Sequence, residues 1–434
     1  MTAEPVAQTP PKRKDSWRDY VAKDPRPFVG AKRYQPRVGH PDWPRLMREA
    51  DAIVAEVLPT LTPPQRGLPE ITRRAKSYAT AARGYLENRR RARAGREDLL
   101  PLYFIWTTLR ACNFRCSYCD DHRGQKYPDL PLKGALDTAR GKRLLEVMRT
   151  RATSVYFAGG EPTARKDLPA LTRHARDLAY YPIVVNTNGS LVERILRKPE
   201  WRTWLADTDL IVVSLDGLDL ERLARLWVTD APQDVLRNLL VLRALAGPMR
   251  FRLSVNCVME PGETDEARDV LDLAGDLGIT FAYVPMNVGP RIADGFHGDP
   301  GYERFAETIL ARKRAGQPMM GSLRLNERLL RSAPISCRNT LKPHVDYDGR
   351  LFWPCKGTVN VPPAMVDVLA FDHVDDVWAR GAALIDPTRF HGPAPDQCGG
   401  DCNWAQNYST DAYTHGLLHP LSLLGEIADF VRSR

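Results

Sequence analysis

Residues 102–119 read LYFIWTTLRACNFRCSYC. The first eight are apolar or β-branched and are bounded by Pro101 and Arg110, the length and composition of a buried strand. The remainder delivers Cys112, Cys116 and Cys119 in a loop that starts at the strand's C-terminal end. Five more runs of the same texture follow: SVYFA (154–158), IVVN (183–186), LIVVSL (210–215), RLSVNCVM (252–259) and TFAYV (280–284). Helical stretches separate them at intervals of roughly 25 to 40 residues, which predicts βαβ units and an α/β fold with a parallel sheet. Strands closing around a ligand would curl that sheet into an incomplete barrel.

Polar and glycine-rich residues recur where these runs end: the cysteine loop, Gly159-Gly160-Glu161-Pro162, Asn186 with Asn188 and Gly189, Ser214 with Asp216 and Gly217, and Asn256 within the fifth run. Parallel sheets and barrels carry their sites on the C-terminal edge, so one face gathers every candidate group. Cys112-x3-Cys116-x2-Cys119 supplies three thiolates where a closed site takes four. A 4Fe-4S cluster held by three cysteines keeps one iron open to an exogenous ligand, whereas a structural zinc is completed by protein. His122, three residues after Cys119, is the candidate fourth ligand of a zinc knuckle. Such a knuckle requires neither a six-strand scaffold nor a Gly-Gly-Glu-Pro loop one strand later.

The C-x3-C-x2-C spacing, Tyr118 just before the last cysteine, and Gly159 to Pro162 after the next strand together resemble the radical S-adenosylmethionine superfamily. The resemblance covers about residues 100–290. It implies a partial (β/α)6 TIM-like barrel in which the amino and carboxylate groups of S-adenosylmethionine chelate the unique iron. It implies that Tyr118 lies near the adenine, that Gly159, Gly160 and Glu161 receive the methionine amino group, and that Asn188, Ser214 and Asp216 lie along the ribose and carboxylate. Turn and capping roles suit those last three residues equally. The implied chemistry is reductive cleavage of the cofactor to a 5'-deoxyadenosyl radical that takes a hydrogen atom from substrate. A peptide or small-molecule substrate and an electron donor such as flavodoxin or ferredoxin are the implied partners.

Cys337, Cys355, Cys398 and Cys402 form a second, complete set of four. Asp348-Gly349 between the first two reads as the turn of a hairpin whose second strand is RLFWPC. This segment resembles the auxiliary-cluster module called SPASM, or its shorter twitch form. The full pattern has seven cysteines, so the four here imply one auxiliary 4Fe-4S cluster. A zinc ion held by all four is the other reading of the spacing. A cluster with every iron ligated by protein favours electron transfer, and so net oxidation of substrate.

Cys257, in the fifth strand, reads as a small buried hydrophobe. Its sharper reading is a hydrogen-atom donor in a radical epimerase. Alternation puts Asn256 and Cys257 on opposite sides of the strand, and Asn256 is expected inside the barrel, where an amide finds partners.

Around this core, residues 1–40 are rich in Pro, Lys and Arg, and helical periodicity begins at Trp43 with Leu46, Ala50, Ile53, Val54 and Val57. A second helix runs on from Ile71, after Pro59, Pro63 and Pro64, and ends in Arg89, Arg90, Arg91, Arg93 and Arg96. That run reads as the solvated end of a helix, where cations offset the dipole, or as a contact for an anionic partner such as a leader peptide, a membrane surface or RNA; with no aromatic residues interleaved, nothing supports nucleic acid binding. Lys plus Arg number 62 against 53 Asp plus Glu in 434 residues. No run of apolar residues reaches the length of a membrane span, no signal peptide opens the chain, and the clustered cysteines fit a reducing compartment, so a cytoplasmic location is expected. The expected division is an arm and helical extension over 1–98, the barrel over 99–290, and an auxiliary-cluster module over 291–434 with one amphipathic helix around Leu417 to Val431. A non-catalytic zinc-binding interaction protein is the rival from another class.

Overall fold

Strands β1 (Tyr103–Thr107), β2 (Ser154–Ala158), β3 (Ile183–Thr187), β4 (Leu210–Ser214), β5 (Arg252–Met259) and β6 (Thr280–Pro285) lie side by side in chain order, every neighbouring pair parallel. The computed structural model describes residues 41–119, 134–289, 291–335, 338–356, 363–386 and 402–432, with side chains to residue 426. All six sequence runs become strands, and the sheet is the wall of a partial barrel. Alternation sorts each strand into two faces. On β5, Leu253, Val255, Cys257 and Met259 are buried against helices, while Asn256 and Val258 are half-buried on the other face.

Helices cover the outer face. α1 (Trp43–Val57) and α2 (Leu68–Arg93) precede the barrel; α3 (Thr138–Arg149), α4 (Leu168–Asp177), α5 (Val192–Leu196), α6 (Trp204–Asp207), α7 (Leu220–Trp227), α8 (Pro232–Met249) and α9 (Thr264–Leu277) lie between its strands. Carboxylates start several of them: Asp137 accepts from the Arg140 N–H at 2.8 Å and Asp219 from the Arg222 N–H at 2.9 Å, pairing donors that have no intrahelical acceptor. The apolar face predicted for α1, from Trp43 through Val57, is buried against α8, and Arg237 of α8 pairs with Glu49 at 3.4 Å.

α2 is fixed at the N-terminal edge of the sheet. Arg73 donates to Asp209 at 2.6 and 3.0 Å, to Glu70 at 2.8 and 2.9 Å and to the Tyr180 carbonyl at 2.6 Å, and Arg176 meets Glu70 at 2.6 Å. Its arginine-rich end behaves as a helix end. Arg91 reaches Glu87 and Asp98, Arg96 reaches Asp98, and Arg90 lies 3.8 Å from Glu87.

After a short hairpin, β7 (Asn287–Val288) with β8 (Arg291–Ile292), come α10 (Pro300–Arg314) and α11 (Leu323–Leu330). The C-terminal segment then rejoins the barrel sheet. β9 (His344–Val345) pairs parallel with β1, and β10 (Arg350–Trp353) and β11 (Ala364–Asp367) extend the sheet antiparallel, giving the order β11-β10-β9-β1-β2-β3-β4-β5-β6. The turn is the predicted one: Gly349 has φ +88°, and its N–H donates to the Asp346 carbonyl at 3.0 Å. α12 (Val374–Leu384) packs on β11. The terminal helix expected around Leu417 to Val431 is α14 (Pro420–Arg432), and a further helix, α13 (Tyr408–Leu418), precedes it; Pro420 lacks the N–H to continue α13 and opens α14.

Candidate functional site

The cysteine loop leaves β1 and is held from three sides. From below, Gly160 N–H donates to the Leu109 carbonyl at 2.8 Å and Glu161 N–H to the Ala111 carbonyl at 2.9 Å, so the loop after β2 runs directly against the cysteine loop's backbone. A Cβ on Gly159 would stand 2.4 Å from the Leu109 oxygen, and one on Gly160 2.2 Å from the Ala111 oxygen. The two glycines are therefore required by loop-on-loop packing, before any ligand is considered. From one side, α7 presents its C-terminal carbonyls: Arg115 N–H donates to Trp227 and Ser117 N–H to Leu226, both at 3.0 Å, and Phe114 stacks on the Trp227 ring at 5.5 Å. From the other, Arg110 pairs with Asp346 beyond β9 and lies 4.7 Å from the centre of the Tyr347 ring.

Two buried carboxylates lock these pieces. Glu161 is fully buried, and its oxygens accept from Thr163 N–H (2.9 Å), Thr163 O–H (2.6 Å), Thr187 O–H (2.7 Å) and Asn188 N–H (2.7 Å). Asp216, 1% exposed, accepts from the Tyr118 hydroxyl, from Trp227 Nε1–H at 2.6 Å and from Val258 N–H at 2.7 Å. Burial pushes both carboxyls above the usual carboxylate range. Both carboxylates thus brace the cysteine loop and its neighbours through protein donors, and Tyr118 is anchored to Asp216 by its hydroxyl.

Asn188 bonds inward as well: its Nδ2 donates to Asn113 Oδ1 at 2.9 Å and lies 3.9 Å from Cys112 Sγ, while its Oδ1 accepts from Ser190 N–H and O–H. Ser214 and Asn256 are register partners across β4 and β5, half-buried on the face away from the helices, so both line the barrel interior at its C-terminal end. Cys257 does not. It is 0% exposed, among the apolar residues between sheet and helices, which removes it from the barrel interior that a hydrogen-atom donor must face.

The three thiols are half-buried; among them, Cys119 raises Cys112, and Cys119 and Cys112 raise Cys116. Burial, with the Glu161 carboxylate next, pushes Cys112 up to about 12, and burial with Asp216 pushes Cys116 up. Such thiols ionise when a cationic metal centre binds them. Phe114 N–H, 3.4 Å from Cys112 Sγ, is a donor of the kind that supports cluster-bound sulfur. Among the described residues no three Cys, His, Asp or Glu side chains converge to hold a single ion. Donor set and surroundings fit a three-cysteine iron-sulfur cluster. His122 lies outside the described residues.

Of the second cysteine set, Cys355 follows β10 and Cys402 precedes α13; both are buried and packed together with Ile385 and Trp404. Trp404 also stacks on His344 of β9, centroids 5.6 Å apart. Cys337 and Cys398 lie outside the described residues, as does the arm over 1–40. Sequence reading missed Trp227, Thr163 and Thr187. Thr163, directly after the Gly-Gly-Glu-Pro turn, and Thr187, between Asn186 and Asn188, stood next to flagged motifs; Trp227 did not.

Residues 106–274 match the Radical SAM superfamily model. Fe-coproporphyrin III synthase of Methanosarcina barkeri is 35% identical over 26% of this chain, which spans only 27% of that relative's length. The probable GTP 3',8-cyclase of Saccharolobus solfataricus is 26% identical over 64% of this chain and 90% of its own length. For the PqqA peptide cyclase of Xanthomonas campestris pv. campestris the values are 26%, 69% and 79%. Among solved structures, Streptococcus suis SuiB superposes with a TM-score of 0.50 at 16% identity, covering 64% of this chain and 66% of SuiB; at that identity the likeness concerns the fold. SuiB is also known in complexes with S-adenosylmethionine and with its precursor peptide SuiA.

Proposed function

Because the chain carries a radical SAM domain over residues 106–274, we propose that it is an enzyme that removes a hydrogen atom from a peptide or small metabolite, with net oxidation of the substrate. The observation that carries this reading is the placement of Cys112, Cys116 and Cys119 at the C-terminal edge of the parallel strands, in a loop braced by Glu161 and Asp216. Cys112, Cys116 and Cys119 would hold a 4Fe-4S cluster, which would supply the electron for reductive cleavage of S-adenosylmethionine.

The chain's own residues do the rest. Glu161 and Asp216 hold the loop through the donors that surround them. Tyr118, Asn188, Ser214 and Asn256 ring the mouth and orient the cofactor, and the backbone of Gly159 and Gly160 passes beneath them. Lining residues such as Val258 and Val212 limit water at the reacting carbon. Cys355 and Cys402, already adjacent, would complete an auxiliary cluster with Cys337 and Cys398 and accept the electron that net oxidation releases. The PqqA peptide cyclase match, which extends well beyond the radical SAM domain, supports a peptide substrate; the cyclase acting on GTP supports a small one.

Anaerobic reconstitution tests the proposal. The expected product is a brown protein with about eight irons that releases 5'-deoxyadenosine from S-adenosylmethionine on reduction. Cys112→Ala abolishes that release, and Cys355→Ala preserves it while halting substrate oxidation. A colourless zinc protein ends the enzyme reading. A redox-neutral product from an enzyme that still turns over as Cys337→Ala ends the net-oxidation part.

A further inference from the structure

We propose that the outer ridge of α2 seats this protein on an anionic membrane surface. α2 is buried along one face only, at Arg73, Ser77 and Asn88. On the opposite face Leu68, Ile71, Ala75, Tyr78, Ala79, Ala82 and Leu86 are all exposed. At 3.6 residues per turn these seven fall within an arc of about 100° and form a straight apolar ridge about 27 Å long. Leu68 is 74% exposed, Ile71 63%, Tyr78 58% and Leu86 56%. Single exposed leucines mean nothing, but a contiguous row is a docking feature.

Charge complementarity identifies the occupant. The exposed charge of α2 is predominantly basic: Lys76, Arg83 and Arg90 run along one flank of the ridge and Arg93 stands at its end, while Arg74 on the other flank pairs with Glu70. Its two acidic residues, Glu70 and Glu87, are drawn into pairs with arginines. An apolar ridge with a cationic rail along its flank is the pattern of a helix lying in a lipid headgroup layer. The ridge is convex, with alanines between the larger side chains, and offers no pocket for the aromatic anchors that centre a protein interface. A second copy of the helix would bring like charge against like.

A further exposed apolar group follows the helix that packs on α2. Tyr85 O–H reaches the Gly416 carbonyl, which docks α13 on α2, and after Gly416 in the chain come Leu418 (52% exposed), Leu421 (84%) and Leu424 (62%).

The probe is a vesicle. Full-length protein is expected to co-sediment with vesicles containing phosphatidylglycerol, to bind pure phosphatidylcholine vesicles at least about tenfold more weakly, and to lose binding as salt rises. Combined Leu68→Ser, Ile71→Ser, Tyr78→Ser and Leu86→Ser should cut binding at least about tenfold while leaving thermal unfolding unchanged. Lys76→Glu, Arg83→Glu and Arg90→Glu should do the same through charge. Absence of binding to either vesicle overturns the proposal. So does a serine variant that binds as the parent does, or a ridge that proves to be covered in solution by a second copy of the chain or by residues 1–40.

Discussion

Asp216 ties the cysteine loop to two other elements. It collects a hydroxyl from between two cysteines, an indole from α7 and an amide from β5. Removing its carboxylate strands three buried donors. Asp216→Ala is expected to lower stability by about 2 kcal/mol and to weaken iron retention at the three-cysteine loop about tenfold, read by thermal melts and by iron content after desalting. If iron content is unchanged, Asp216 does not position the loop. At this scale the sequence was partly legible. Asp216, Glu161 and Asn188 stand out because polar residues at strand ends are uncommon enough to notice. Their partners could not be read, since Trp227 and Val258 reach Asp216 through the fold and carry no local signal. A strand-end acid that faces a ligand and one that faces a neighbouring loop look alike in one dimension.

At the scale of elements, local patterning carried furthest. β-branched runs bounded by polar turns marked all six barrel strands, and β5 keeps the predicted limits of 252–259. Asp348-Gly349 marked the β9–β10 turn, and the Trp43 to Val57 spacing marked α1. Long-range pairing was not legible, because β9 has two residues and joins β1 only once more than 230 residues have been folded between them. The glycines of the loop after β2 lead to a sharp expectation. Gly160→Ala drives a Cβ into the Ala111 and Arg110 carbonyls, so the loops must part, and iron at Cys112, Cys116 and Cys119 should be lost while Cys355 and Cys402 keep their share. Gly381→Ala in α12 is the converse. Its Cβ would sit 2.3 Å from the Trp353 ring, two residues before Cys355, and should cost about 1–3 kcal/mol with iron lost from the second site first. Iron counts on the two variants, together with the spectra of the remaining cluster, check both.

Across the whole molecule, the charged cluster at the N-terminal edge of the sheet makes stability depend on acidity. Burial alone would raise Glu70, but hydrogen bonds from Arg73 and Arg74 outweigh it and hold the carboxyl at about 2. That value lies below the unfolded one, so the native state binds fewer protons between them. The stabilisation is complete above the ordinary carboxylate range and is lost as pH falls toward the folded value. Between about pH 5 and about pH 3 the parent's urea midpoint should fall more steeply than that of Glu70→Gln, which is already weaker at neutral pH. Equal slopes would mean that Glu70 does not couple α2 to the barrel.

The same view gives the β9 pairing a meaning outside catalysis. β1 opens the barrel and would be its bare outer strand, apolar and with unpaired amides, if the chain ended after β6. Leu102 and Ile105 N–H instead find the Leu341 and Pro343 carbonyls at 2.7 and 3.0 Å. A strand left open there is a template for another chain, and a truncated barrel would self-associate through the very strand that leads into the cysteine loop. The C-terminal segment therefore acts as a guard against aggregation, and ribosomal synthesis leaves that guard missing until nearly four-fifths of the chain has been made.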